Sequence, residues 1–98
     1  MTKADQDYHD WICRMVGCIA CFLDGGKNTH CGIHHCDGRT KPGCQRKVIP
    51  LCGVHHQTGG EAAPSIHPWK KRFEAKYGTE RDLIVRCLAW YAAGRVIA

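Results

Sequence analysis

Eight cysteines and seven histidines crowd into 98 residues, and two short clusters of them set the terms for any fold. Cys18-Ile-Ala-Cys21 is a C-x2-C knuckle, and Cys52-Gly-Val-His55 is a C-x2-H knuckle about thirty residues later. Each places two N/S ligands on one tight turn, and two such pairs meet the tetrahedral, four-ligand need of a structural zinc. A chain this short buries a modest core and generally needs a staple of that kind. The bland alternative is buried cysteines with an incidental histidine. Cys13, Cys31, Cys36 and Cys44 compete as ligands. Cys36 and Cys44 face one another across a hairpin in this reading, as a second thiolate site, a disulfide or simple packing. Cys87 falls on an apolar helix face and reads as core.

Composition narrows the partners. Apolar residues make up 44% and charged residues 23%, which is globular rather than disordered. A formal net charge of +5 favours a polyanionic partner. No run approaches the ~20 apolar residues of a membrane span, so no membrane role is expected. The opening MTKADQDYHDWI lacks the apolar core of a secretory signal. The expectation is therefore a cytoplasmic chain with reduced thiols, and reduced thiols among many histidines suggest metal. An exported, disulfide-stapled domain is the competing reading.

The pattern predicts one α+β domain. Thr2 caps a helix over 3–16, with Trp11, Ile12, Met15 and Val16 as its apolar stripe and Gly17 at its end. Residues 18–66 show little helical periodicity. Ile33–Cys36 and Lys47–Ile49 fit two short antiparallel strands joined by the loop 37–46. A short helix can open near Leu51. Pro68 starts a further helix with Trp69, Phe73 and Tyr77 on one face. Thr79 caps the last, whose buried face is Leu83, Ile84, Cys87, Leu88 and Tyr91, with Gly94 at its end. The divisions are an N-terminal helix (1–17), a zinc-bearing core (18–67) and C-terminal helices (68–94).

A structural zinc on Cys18, Cys21, Cys52 and His55 leaves His34, His35, His56 and His67 unexplained. A module that merely binds a partner has no need of that second set. In an extended strand His34 and His35 point to opposite faces, so they serve different ends. A second, catalytic cation with a free imidazole nearby as general base accounts for them. Asp37 is a minor candidate to supplement that cation; His9 and His30 take the bland reading. Arg39, Lys41, Arg46 and Lys47, with Lys70, Lys71 and Arg72, are candidates to hold phosphates, or else a solvated charged face.

Strand-borne His34-His35, a loop, a second strand and Leu51-Cys52-x-x-His55-His56, all after Cys18-x-x-Cys21, resemble the HNH (ββα-metal) endonucleases. His55 stands where that pattern has its last zinc-binding Cys. Gly17–Cys21, the segment Pro50–Gly59, Ser65-Ile-His67 and Phe73-Glu-x-x-Tyr77-Gly-Thr are similar to the phage recombination-enhancement, RecA-dependent nucleases. The resemblance implies a small zinc-stabilised HNH core between flanking helices. It implies a DNA endonuclease linked to recombination, acting in a bacterial host and of phage or prophage origin. DNA is the implied substrate and a recombinase filament the implied partner. His34 and His56 then hold a catalytic divalent cation, Mg2+ or Mn2+ (or Zn2+), with His67 completing the site. His35 is the general base, and products carry 5′-phosphate. The Asn of the HNH name has no counterpart between the strands; the only Asn is Asn28, upstream of them. A non-catalytic zinc module that binds nucleic acid, and an HNH fold without activity, are the alternatives.

Overall fold

The computed structural model describes residues 1–97. Helix α1 spans Lys3–Met15; Thr2 and Asp5 form a reciprocal capping box at its start. Its inner face buries Tyr8, His9 and Ile12. Met15, expected on the apolar stripe, is 42% exposed, while Val16 just past the helix is buried. The stripe thus loses Met15 but keeps Val16.

Gly17 ends α1 with φ +71, and a Cβ there would lie 2.6 Å from the Asn28 carbonyl oxygen. That carbonyl also accepts the Cys18 N–H at 2.8 Å, so the chain doubles back tightly at this point. A five-residue helix, α2 (Ile19–Leu23), follows directly. It is too short to show periodicity, and it lies inside the stretch expected to be irregular.

Strands β1 (Gly32–His35) and β2 (Val48–Leu51) form an antiparallel pair, in which His34 opposes Ile49 and His35 opposes Val48. β2 lies slightly later than the sequence suggests and includes Pro50, which a two-stranded sheet tolerates because both strands are edges. All four β2 side chains are buried, under α1, α2 and α4. The connection carries a short 3-10 turn at Cys44–Arg46. After β2 the chain makes one wide π-helical turn, Val54–Thr58, in place of the short α-helix expected near Leu51.

Helix α3 (Ile66–Tyr77) begins irregularly and ends at Gly78; α4 (Glu80–Ala93) is capped by Thr79, whose Oγ1 accepts the Asp82 N–H. Trp69 is not on the core face of α3 with Phe73 and Tyr77: it is 40% exposed, while those two are buried. In α4 the fully buried positions are Leu83, Cys87 and Trp90, with Ile84, Leu88 and Tyr91 half-covered. Tyr8, Ile12, Ile19, Ile49, Phe73 and Leu83 centre the core, which stacks both terminal segments against the strand pair. The described residues form a small mixed domain of four α-helices and a two-stranded sheet. None of its described helices is long and apolar enough to cross a membrane.

Candidate active site and metal centre

The two knuckles meet. Cys18, Cys21, Cys52 and His55 each offer one ligand atom, and all four atoms lie within 4.8 Å of one another. Cys21 Sγ is 3.9 Å from Cys52 Sγ. His55 Nδ1 is 3.5 Å from Cys18 Sγ, 3.5 Å from Cys21 Sγ and 3.2 Å from Cys52 Sγ. A tetrahedron with ordinary Zn–S and Zn–N bonds has edges of about 3.8 Å (S to S) and about 3.6 Å (S to N). These donors fit such an ion.

Their surroundings fit it too. Burial pushes the Cys18 thiol up to about 12, so it gives up its proton readily only to a cation that replaces it. Cys52 is also partly desolvated, but the backbone N–H groups of His55 and Val54 and the neighbouring thiols outweigh that and hold it below its usual range. Asn28 Nδ2 points at Cys21 Sγ across 3.9 Å. Behind His55, Nε2 donates to the Tyr77 hydroxyl at 3.1 Å, and that hydroxyl donates to Asp24 at 2.8 Å. This chain fixes the tautomer that leaves Nδ1 bare toward the thiols.

A second group gathers around His56, the residue after the knuckle histidine. His34, His56 and His67 bring three ring nitrogens within 4.8 Å of one another. His34 Nδ1 lies 3.2 Å from His56 Nε2. The His67 ring centroid is 5.1 Å from that of His34 and 5.4 Å from that of His56. Three elements converge here: β1, the π-helical turn, and the irregular start of α3. His67 has extended backbone (φ −117, ψ 119) within α3, which turns its ring toward the other two. Ser65, fully buried, donates to the His67 carbonyl at 2.6 Å and fixes that bend. Gly59 lets the loop that follows it close: a Cβ there would collide with the Ala63 carbonyl oxygen.

The trio grades from buried His34, through half-buried His56, to exposed His67. Burial holds His34 below the ordinary imidazole range, although the Glu80 carboxylate pulls the other way. Burial, with the neighbouring imidazoles of His34 and His67, does the same for His56. Neutral imidazole is the ligand form.

Glu80 is the residue that sequence reasoning missed. At the start of α4 it reads as an ordinary first-turn acid. Its Oε2 accepts from His34 Nε2 at 3.0 Å, and its Oε1 takes Lys70 Nζ at 2.7 Å. The contact puts the His34 proton on Nε2 and leaves Nδ1 to face His56. A carboxylate behind a ligating histidine is the usual support for a metal-bound imidazole. Cys36 joins the same neighbourhood, its thiol forming a third candidate ligand group with His34 and Glu80; all eight cysteines are free, so Cys36 and Cys44 form no disulfide.

His35 leaves the strand on the opposite side. Its Nε2 is 3.0 Å from Gln45 Oε1. Gln45 also accepts His9 Nε2 on its backbone carbonyl at 2.7 Å, and the His9 and His35 rings stand edge to face at 6.0 Å. An amide oxygen at Nε2 selects the tautomer with a bare Nδ1, and that Nδ1 is buried with no partner.

The expected phosphate contacts are variously engaged. Arg46 binds Asp5 at 3.2 Å and lies over the Tyr8 ring, tying α1 to the hairpin. Lys41 and Lys47 both pair with Asp37, which joins none of the metal-ligand groups among the described residues. Arg39 is exposed and makes no ion pair among the described residues.

The chain matches, over residues 1–92, the model of the family described as "Recombination enhancement, RecA-dependent nuclease". It belongs to that family. The family's name is that of nucleases acting in a RecA-dependent, recombination-linked setting. Both the histidine and the cysteine groups, with Glu80 and Lys70, lie inside the matched span.

Proposed function

We propose that this chain is a metal-dependent DNA endonuclease of HNH type, in which residues 18–67 carry the nuclease core and the helices on either side support it. The observation that carries this reading is the contrast between the two ligand groups. Cys18, Cys21, Cys52 and His55 form a closed, largely buried set of four, the form of a structural zinc site. His34, His56 and His67 form a set of three that runs out to solvent, the form of a site that keeps a position open for water or substrate.

A divalent cation held by those three imidazoles would act as a Lewis acid, stabilising negative charge on the phosphate and on the leaving 3′ oxygen. An all-nitrogen donor set suits a borderline transition ion better than Mg2+, which prefers oxygen. The protein's own groups divide the remaining work. His35 is the general base that the resemblance implies, but its bare Nδ1 is buried on the side of β1 away from the trio, so the ring must turn out toward the pocket before that nitrogen takes the proton of the attacking water. Gln45, which holds Nε2, takes the orienting place that an Asn has in the HNH pattern. Glu80 keeps His34 turned toward the pocket and Lys70 keeps Glu80 ionised. Arg39, Lys41 and Lys47 lie on the loop beside β1 and meet phosphates without reading sequence. DNA bound to a recombinase filament is the setting that the RecA-dependent family name suggests; the cytoplasm of a bacterial host and a phage origin belong to the same reading, on the resemblance alone.

Plasmid DNA incubated with the protein, RecA, a matching single strand and Mn2+ or Mg2+ should be nicked. His35→Ala should lower the rate by about 10²–10⁴, the worth of a general base, while melting temperature and zinc content stay as in the parent. Gln45→Ala should fall between the two. Absence of nicking under every metal, with and without RecA, would leave the non-catalytic zinc module as the better account.

A further inference from the structure

Trp69 lies two positions after His67 and directly before Lys70, whose Nζ holds the Glu80 carboxylate that backs His34. The start of α3 departs from helical geometry at both residues, with Trp69 at φ −96, ψ 41. The indole is thereby held off the core, while Phe73 and Tyr77 of the same helix are buried. A single exposed tryptophan needs no explanation by itself. Here it stands among cations, on the same short stretch of α3 as the pocket's His67 and the Lys70 that holds Glu80. The Arg72 guanidinium lies 4.9 Å from its ring centroid. Lys71 is exposed and makes no ion pair among the described residues, whereas Lys70 is taken by Glu80.

An exposed aromatic plane backed by arginine, with a free lysine beside it, is the combination that receives an unpaired nucleobase and its flanking phosphates. Bases inside a duplex have no face to offer such a plane. We propose that Trp69 is a stacking platform for an unpaired base, with Arg72 and Lys71 on the adjacent phosphates. The strand that enters the three-histidine pocket is then single-stranded, or locally opened, next to the scissile bond. This rests on the nuclease reading of that pocket and names its substrate.

The test is fluorescence anisotropy on the whole zinc-loaded chain, without added divalent cation. One labelled probe is an oligothymidylate; the other has the same length and charge but abasic spacers in place of its bases. The parent binds the base-bearing probe more tightly. Trp69→Ala, and Trp69→Leu, which keeps apolar bulk without a π face, lose about tenfold on the base-bearing probe, the size of one lost stack, and bind the abasic probe as the parent does. Trp69→Phe keeps most of the preference. Equal losses on both probes, or a preference retained in Trp69→Leu, overturn the proposal. No turnover enters this readout. Base preference without any cleavage upholds the platform and sinks the nuclease reading; cleavage without base preference does the reverse.

Discussion

His34 and His35 are neighbours in one strand, yet their Nε2 atoms meet different oxygens, and those oxygens determine what each ring can do. A carboxylate behind His34 prepares a ligand; an amide oxygen behind His35 engages Nε2 and leaves Nδ1 without a partner. Removing the carboxylate should cost metal affinity rather than fold. Glu80→Ala is expected to weaken Mn2+ or Zn2+ binding at the histidine trio by about 10–100-fold in a competition titration, with the four-ligand site still loaded. Unchanged affinity would reduce Glu80 to a surface ion pair with Lys70. The same histidines give a pH dependence. Burial holds His34, His55 and His56 low, whereas in the unfolded chain each returns to about 6.5. Between the depressed values and about 6.5 the unfolded chain binds more protons, so stability rises with pH across that window and is lost as pH falls through it. Thermal melts should show a lower Tm at about pH 5.5 than at about pH 7; a Tm that stays level or rises on acidification would contradict this burial account.

Among the elements, the tight return between α1 and α2 positions the first knuckle. Gly17 has both a left-handed φ of +71 and a carbonyl oxygen 2.6 Å from where a Cβ would sit. Gly17→Ala should destabilise by more than about 1 kcal/mol, a fall in Tm of roughly 4–8 °C or more for a domain of this size. Gly53→Ala is the control: its backbone is helical and a Cβ there meets nothing within 4 Å, so its Tm should hold or rise slightly. Equal losses at the two positions would refute the steric argument. The elements also mark what the sequence could reveal. Helices α1 and α4 were legible because capping residues and periodicity agree over more than ten residues. The spacing of the knuckles, and the pairing of His34 with His56, pointed to side chains that the fold does bring together, whereas His35 of the first doublet joins neither group. Glu80 and Gln45 were not legible, because each meets its histidine through tertiary packing, Glu80 across 46 positions, and neither carries a local signature. Trp69 fitted the helical period and was displaced by a break in α3 that the period alone does not show.

The whole molecule is small for its chemistry. Its core is one layer of strands beneath helices, and the chain joins the two halves of each candidate site across more than twenty positions. In such a chain, metal supplies what packing area does not. The +5 net charge fits a polyanionic substrate, and several basic side chains already engaged by Asp5, Asp37 and Glu80 are held in place rather than left free. The central claim is that the histidines are divided between a closed staple and an open pocket. Anomalous scattering from crystals grown with zinc tests it most directly. The account predicts one peak enclosed by Cys18, Cys21, Cys52 and His55 and a second bounded by His34, His56 and His67. A single peak at the cysteines, with nothing between the three imidazoles, would contradict it.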